Sequence, residues 1–375
     1  MISTGRCCKV PSVVPLACRA ALVLALSSGT QAAVLPGTNW ETRTPAETGL
    51  EVAQLNGIQK YLGGRGCIVR HGYLVYSWGE ITKRGDVASA AKPWYSTFLF
   101  KAVEEGRLAS VNARAVIHEP RLRDINASLS CKDTNITFRH FATQTSCYGV
   151  QEPPGIAYDY NDWQMALFWD ALFLRVFGAT YTNVDATVLV PKLAGILQCQ
   201  DNPTFLAFGV NDRPGRLAVS PRDFARFGLL YLNQGNWNGT QVISQAHAIL
   251  AVTDPLPLAV PRTAGIRAEM LPGQRSLGST VVPDNQNDHD GSYSWLWWVN
   301  GLQRNGKRRW PSAPANVYAC LGHANGKRGM AVMPSEHIVL SWNDSLLDTY
   351  PPEPHPLDRV FHLVMESITN TVQSR

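Results

Sequence analysis

The chain has 375 residues, 45% of them hydrophobic, which is enough to bury a large core in one big domain or two intimately joined ones. Its formal charge is +5, from 34 Lys and Arg against 29 Asp and Glu. Three positive charges (Arg6, Lys9, Arg19) fall in the first 33 residues. The balance of about +2 left by ordinary side-chain ionisation gives no reason to invoke nucleic acid or an anionic membrane as a partner.

Residues 1–33 read as a secretory signal: basic residues, a short apolar run from Ala20 to Leu26, then small residues up to Ala32 and Ala33. The run is too short to span a bilayer. The sequence therefore predicts a soluble protein, secreted or periplasmic, without a membrane span once the signal is removed; a retained N-terminal anchor is the alternative. Cys7, Cys8 and Cys18 would leave with the signal, and Cys67, Cys131, Cys147, Cys199 and Cys320 would remain. Their spacings match no zinc pattern, so no metal is expected. An oxidising compartment predicts one or two disulfides, Cys131 to Cys147 being the nearest pair in sequence.

In the mature chain the apolar runs Cys67 to Val69 and Tyr73 to Trp78 flank Arg70-His71-Gly72 and predict a β-hairpin. Asp86 to Leu108 then predicts a helix, with Trp94, Phe98, Leu99, Ala102 and Val103 at helical spacing and Gly106 at its stop. Ser89 and Lys92, three apart near the start, would present a hydroxyl and an amine to one point in space. Pro93 fits there because first-turn N–H groups have no intrahelical partner. The positive end of the helix would favour an oxyanion beside Ser89. By itself the tetrapeptide is also what a surface serine beside a solvated lysine would look like.

Residues 109–281 read as mainly helical, broken by Pro/Gly/Asn loops. Pro154-Gly155 makes a turn just ahead of Tyr160, whose phenol could project into a cleft, and a tyrosine beside a lysine cation can serve as general base. A helix is expected from Trp163 to Phe177, and a second from Pro221 to Asn233 with Ser220 as its cap. Strands return at Trp295 to Val299, Gly329 to Pro334 and His337 to Trp342, and a helix closes the chain from Leu357 to Val372. Gly322-His323-Ala324-Asn325-Gly326-Lys327-Arg328-Gly329 forms a glycine-rich strand entrance whose N–H groups could bind an oxyanion. Strands at both ends with helices between predict an α/β (α+β) fold, an antiparallel sheet built from residues 34–108 and 282–375 with a mainly helical region inserted at 109–281.

Serine-lysine, tyrosine and glycine-rich strand, in that order, resemble the serine hydrolase superfamily of class C β-lactamases, D-alanyl-D-alanine peptidases and related esterases and amidases. The likeness covers most of residues 34–375. It includes Ile68 to Gly79 (V-x-R-x-G-x-L-V-x-x-x-G in the family), Ile136 to Gly149 (usually ending T-S-G-Y-G), Pro154 to Asp162 (P-G-x-x-F-x-Y-S-N) and Ser220 to Gly235 (S-x-x-D-x-A-R-F-G-x-L-x-L-x-x-G). The resemblance implies a β-lactamase-like fold and acyl transfer to serine without metal or cofactor. Ser89 would be the acylated nucleophile, and Lys92 its activator, directly or through Tyr160, which of the two is the base being left open. His323 would stand where relatives have the lysine of K-T-G or the histidine of H-T-G. The oxyanion hole would join the backbone N–H of Ser89 to one near Asn325 or Gly326.

Three departures shape the expected substrate. Asp162 stands where the tyrosine motif has asparagine, and an ionised carboxylate has no proton to donate to a substrate carbonyl. Neutral His323 is a weaker carboxylate partner than lysine unless Lys327 or Arg328 assists. Cys147 replaces the glycine of T-S-G. These favour an esterase or amidase acting on a small-molecule ester, amide or peptide-like substrate, ahead of a β-lactamase or peptidoglycan peptidase or a non-catalytic binding protein on the same scaffold.

Overall fold

Tight turns and apolar runs organise the chain into paired strands with helices between them. The computed structural model describes residues 34–281 and 287–369, so the signal-like residues 1–33 lie outside the described part. Helix α1 (Val52–Leu62) leads into β1 (Arg65–Arg70) and β2 (Tyr73–Trp78). Their turn, His71-Gly72, takes positive φ at both residues (52° and 89°), the left-handed geometry that two-residue hairpins need. Short strand β3 (Gly85–Asp86) follows, then α2 (Lys92–Glu104), whose Trp94, Phe98 and Leu99 are fully buried.

The central region holds α3 (Phe138–Ala142), α4 (Asp162–Trp169), β4 (Ala218–Val219), α5 (Pro221–Leu232), β5 (Asn236–Trp237), β6 (Thr240–Gln241) and α6 (Gln245–Thr253). As expected, Ser220 caps α5: its Oγ accepts from the Asp223 N–H at 3.2 Å, and Pro221 opens the helix. Gly228 lets α5 lie close on the sheet, because a Cβ there would come within 2.5 Å of Val339 and 2.8 Å of Met330. The last third adds β7 (Tyr293–Ser294), β8 (Trp297–Val299), β9 (Tyr318–Gly322), β10 (Arg328–Met333), β11 (Ile338–Asn343) and α7 (Pro356–Ser367), which packs against α1.

Among the described residues, seven strands form one antiparallel sheet in the order β2-β1-β11-β10-β9-β8-β7. Strand β11 sits between β1 and β10, pairing Ile68 with Leu340 on one side and Ala331 with the same Leu340 on the other. The two ends of the chain thus meet in the middle of the sheet, as the strand pattern predicts. The fold is α+β.

Four expectations need correction. The helix expected from Trp163 to Phe177 is α-helical only to Trp169 and then widens into π-helical turns from Asp170 to Val176. There Trp169, Phe173 and Phe177 stack in sequence (4.9 and 6.0 Å between centroids) with Phe98 edge-on to Phe173, so aromatic packing outweighs the ideal period. Trp295 and Leu296 are not strand: both have positive φ (46° and 73°) and turn β7 into β8, held by a Trp295 indole hydrogen bond to Asp254 at 3.0 Å. The last helix stops at Ser367, where Ile368 turns extended to bridge Leu50 and the Thr369 N–H bonds the Gly49 carbonyl at 3.0 Å. Cys67, Cys131, Cys147, Cys199 and Cys320 are all free thiols, so the Cys131–Cys147 disulfide is absent. Cys147 is turned instead into a small buried cluster with Val150 and Ala157, its thiol donating to the Ala157 carbonyl at 3.4 Å.

Candidate active site

The turn before α2 sets the position of Ser89. Ala88 takes a left-handed φ of 50°, a conformation that costs a non-glycine residue energy and needs support. Asp86 supplies it: its Oδ1 accepts the Ala88 N–H at 3.1 Å, while its carboxylate is gripped by Arg216 (Nε to Oδ1, 3.0 Å) and by Arg328. Burial alone would raise the Asp86 pKa, but the Arg216 hydrogen bond and charge outweigh it and hold the carboxyl below the usual range. A 3-10 turn over Ala88–Ala91 then hands the chain to α2, with Pro93 in the first turn as expected. Because residues three apart eclipse in such a turn, Lys92 Nζ donates to Ser89 Oγ at 2.7 Å.

Tyr160 arrives from the other side of the cleft on a loop fixed by buried amides. The Gln144 carbonyl accepts the Asp159 N–H at 2.9 Å, and its side-chain oxygen accepts from Asn161 N (3.3 Å) and Gln164 Nε2 (2.8 Å). Asn161 caps α4 by accepting the Gln164 N–H at 2.7 Å. So held, Tyr160 Oη lies 3.0 Å from Lys92 Nζ, with the ammonium 4.3 Å from the ring centroid. Behind it the ring rests on Trp298 and Tyr293, at 6.3 and 6.0 Å between centroids.

Asp162, the first residue of α4, completes the group: Oδ1 lies 3.2 Å from Lys92 Nζ and Oδ2 accepts the Ser279 N–H at 3.1 Å. The two side chains are 4% and 14% exposed. Burial opposes charge on both partners, yet the pair wins: Tyr160 and Asp162 raise the Lys92 pKa, and Lys92 with the Ser279 N–H lowers that of Asp162. The resting site therefore contains an ammonium and a carboxylate.

The glycine-rich segment divides into two parts. Gly322 ends β9 hard against the turn that carries Ser89: a Cβ there would lie 2.2 Å from the Val87 carbonyl oxygen and 3.1 Å from the Ala90 nitrogen. His323 follows with a left-handed φ of 67°, its half-exposed ring 3.9 Å from Asp348 and its pKa lowered by burial and then by Arg328. Asn325 and Gly326 serve a different turn. The Asn325 N–H goes to Asp348 at 2.9 Å, its side-chain amide to the Leu347 and Tyr350 carbonyls, and the Gly326 carbonyl accepts the Trp342 indole N–H at 2.7 Å.

Of the residues expected from the sequence, the structure brings Ser89, Lys92, Tyr160 and Asp162 into one hydrogen-bonded group and sets the backbone just before His323 beside it. The Asn325 N–H is committed to Asp348, and the Gly326 carbonyl to Trp342. Sequence reasoning missed Asp86, Arg216, Gln144 and Gly322. Only Gly322 left a signal, as the first glycine of the segment, where a strand meets another backbone.

Neither a scan against protein-family models nor a search of curated proteins finds a match. Solved structures do. The protein named "Putative 6-aminohexanoate-dimer hydrolase from Bacillus anthracis" superposes with a TM-score of 0.58 at 13% identity, over 88% of this chain and 86% of that one. D-alanine carboxypeptidase AmpC from Burkholderia cenocepacia gives 0.54 at 12%, over 86% and 98%. EstCE1, a hydrolase with promiscuous acyltransferase activity, gives 0.53 at 12%, over 84% and 99%. At such identities the likeness establishes the fold, and that fold is β-lactamase-like.

Proposed function

We propose that this protein is a serine hydrolase that cleaves an ester or amide of a small molecule through an acyl-Ser89 intermediate. The observation that carries the reading is Lys92 Nζ standing between Ser89 Oγ at 2.7 Å and Tyr160 Oη at 3.0 Å. Packing and stability do not require a buried lysine to join two hydroxyl groups beside a strained turn. Acyl transfer does, because the serine must lose a proton as it attacks and the leaving group must gain one.

In this reading Ser89 Oγ adds to the substrate carbonyl, and its proton passes to Tyr160 in its phenolate form or to Lys92 in its free-amine form. The Asp162 ion pair favours the phenolate route, since it keeps Lys92 protonated and sets that ammonium beside the Tyr160 oxygen. The same proton then goes to the departing alcohol or amine, and water repeats the sequence in reverse to free the acid. The oxyanion would be held by the backbone N–H of Ser89 and one from the Gly322-His323 end of β9, the strand end nearest the turn.

A β-lactamase or D-alanyl-D-alanine peptidase is less favoured. Strand β9 reads Tyr-Ala-Cys-Leu-Gly and carries no cation, and His323 is kept neutral. The non-catalytic alternative has no use for the Ser89–Lys92–Tyr160 contacts. Export through the signal-like segment belongs to the same proposal; among the described residues no helix is long and apolar enough to cross a membrane.

The test is labelling with a fluorophosphonate probe, with the adduct located by mass spectrometry. A single adduct on Ser89, lost in Ser89→Ala, is the expected result. A folded protein that stays unlabelled at Ser89 would overturn the reading, and rapid turnover of nitrocefin would move it to the β-lactamases.

A further inference from the structure

Arg216 comes to the site from a turn far along the chain. Its backbone is fixed first. Gly215 (φ 102°) lies so close to its neighbours that a Cβ would come within 3.1 Å of both Trp169 and Leu277, and the Arg216 carbonyl accepts the Ala207 N–H at 3.1 Å. The largely buried side chain then uses every side of its fork. Nε donates to Asp86 Oδ1 at 3.0 Å, Nη2 to Asp86 Oδ2, and Nη1 to the Leu277 carbonyl at 2.9 Å.

Leu277-Gly278-Ser279 is a short segment wrapped around Asp162. The Leu277 N–H donates to the Asp162 carbonyl at 3.3 Å, and the Ser279 N–H to Asp162 Oδ2 at 3.1 Å. Gly278 lies between the two charges: a Cβ there would stand 2.6 Å from Asp162 Oδ2 and 3.2 Å from Arg216 Nη1. With Oδ1 on Lys92 and Oδ2 on a backbone N–H, the Asp162 carboxylate is fixed in rotation. Loss of the second bond would free it to turn away from Lys92.

The contacts close a ring. From Ser89 it runs through Lys92 and Asp162 to residues 277–279, then back through Arg216 and Asp86 to the Ala88 N–H, one residue before Ser89. One planar group thus spans the turn that carries Ser89 and the segment that holds Asp162, a task that suits a guanidinium and not an ammonium. The titratable groups facing Lys92 are Tyr160 and Asp162; Asp162 faces Lys92 and, at longer range, Arg216, while Asp86 faces Arg216 and Arg328.

We propose that Arg216 is a positioning residue: by tying Leu277–Ser279 to Asp86 it keeps the Asp162 carboxylate aimed at Lys92 while the turn before Ser89 stays in place. Its bearing on catalysis rests on the hydrolase reading; the coupling of Arg216 to Lys92 does not.

The coupling is read without substrate, from the carbon-13 NMR titration of Lys92 Cε in the full-length protein, assigned with Lys92→Met. Arg216→Lys keeps the charge but not the fork. Gly278→Ala pushes on Asp162 and leaves the Arg216 pair with Asp86 in place. In both variants Lys92 should titrate lower than in the wild type by about one pH unit, and neither should lower it further once Asp162→Asn is present. Arg222→Met, which removes a two-bond pair with Asp201 outside this ring, is the control and should leave the Lys92 titration where it is. Fluorophosphonate labelling of Ser89 should slow about tenfold or more in Arg216→Lys and Gly278→Ala, as for other misplaced reacting groups. A Lys92 titration unmoved in folded Arg216→Lys or Gly278→Ala, or an equal shift in Arg222→Met, would overturn the positioning role. Labelling at the wild-type rate despite a shifted titration would overturn its bearing on catalysis. The expected shifts in a protein whose wild-type Ser89 takes no label would keep the coupling and count against the hydrolase.

Discussion

Lys92 Nζ and Asp162 Oδ1 lie 3.2 Å apart in a nearly closed site, where sequence analogy expects a neutral asparagine beside the lysine. The carboxylate makes the lysine a fixed cation. Its presence therefore bears on which group moves the serine proton.

Asp162→Asn removes the counter-charge while keeping the side chain's shape. Burial then dominates, the Lys92 pKa falls, and the alkaline limb of the pH–rate profile should move to lower pH. Asp162→Ala should be destabilising by about 3–5 kcal/mol, as for other buried pairs left with one member. The raised Lys92 pKa contributes stability that is present below the unfolded lysine value and lost as pH rises through the folded one. The lowered Asp162 pKa contributes stability that is present above the unfolded carboxyl value and lost as pH falls through the folded one. The Tm gap between wild type and Asp162→Asn should therefore hold across neutral pH and close only in strong acid or alkali. A gap that narrows between about pH 6 and 8 would contradict the ion pair.

Tyr160→Phe removes one oxygen and leaves Lys92 bonded to Ser89 and Asp162. A loss of about 10²- to 10⁴-fold in kcat, the usual worth of a positioned acid–base group, is expected with little change in Tm. Lys92→Met should lose at least as much activity, and it also strands Asp162. If Tyr160→Phe acylates at the wild-type rate in a single-turnover assay, the proton route runs through Lys92 alone.

Gly322→Ala tests the contact between β9 and the turn that carries Ser89. A methyl group 2.2 Å from the Val87 carbonyl oxygen cannot be relieved by rotating a side chain, since the obstacle is backbone. Overpacking of this kind costs about 1–3 kcal/mol, and labelling of Ser89 should fall further than that loss of stability explains. Gly106→Ala is the control, since no atom lies within 4 Å of an added Cβ there, although its positive φ carries strain.

The serine and lysine were legible because helical spacing is local: three residues place both groups on one face whatever the rest of the chain does. Tyr160 was legible from the turn before it. The clamp on Asp86 was not, because its arginines lie 130 and 242 residues away and carry no local pattern. Trp295 and Leu296 read as strand by composition, and only the burial of Trp295 against Asp254 turns them. Asn325 and Gly326 invited a functional reading because glycine-rich turns look alike in sequence whether they face a substrate or, as here, Asp348 and Trp342.

The thiols offer a direct check on the missing disulfide. Burial pushes Cys67 and Cys147 up to about 12 and Cys320 well above its ordinary value, so in the native protein all three should resist iodoacetamide at mildly alkaline pH. After denaturation, all five cysteines beyond residue 33 should alkylate without reductant. Labelling of Cys131 and Cys147 only after reduction would restore the bridge.

The bond from Arg328 to Asp86 also sets an order of events during synthesis. Ser89 and Lys92 leave the ribosome early, but the arginine that steadies their turn, the glycine that lies against it and the strand at the centre of the sheet are all encoded beyond residue 320. Pairings this distant close late. A nascent chain therefore carries Ser89 and Lys92 for most of translation without the contacts that fix their turn, and those contacts arrive with the last strands.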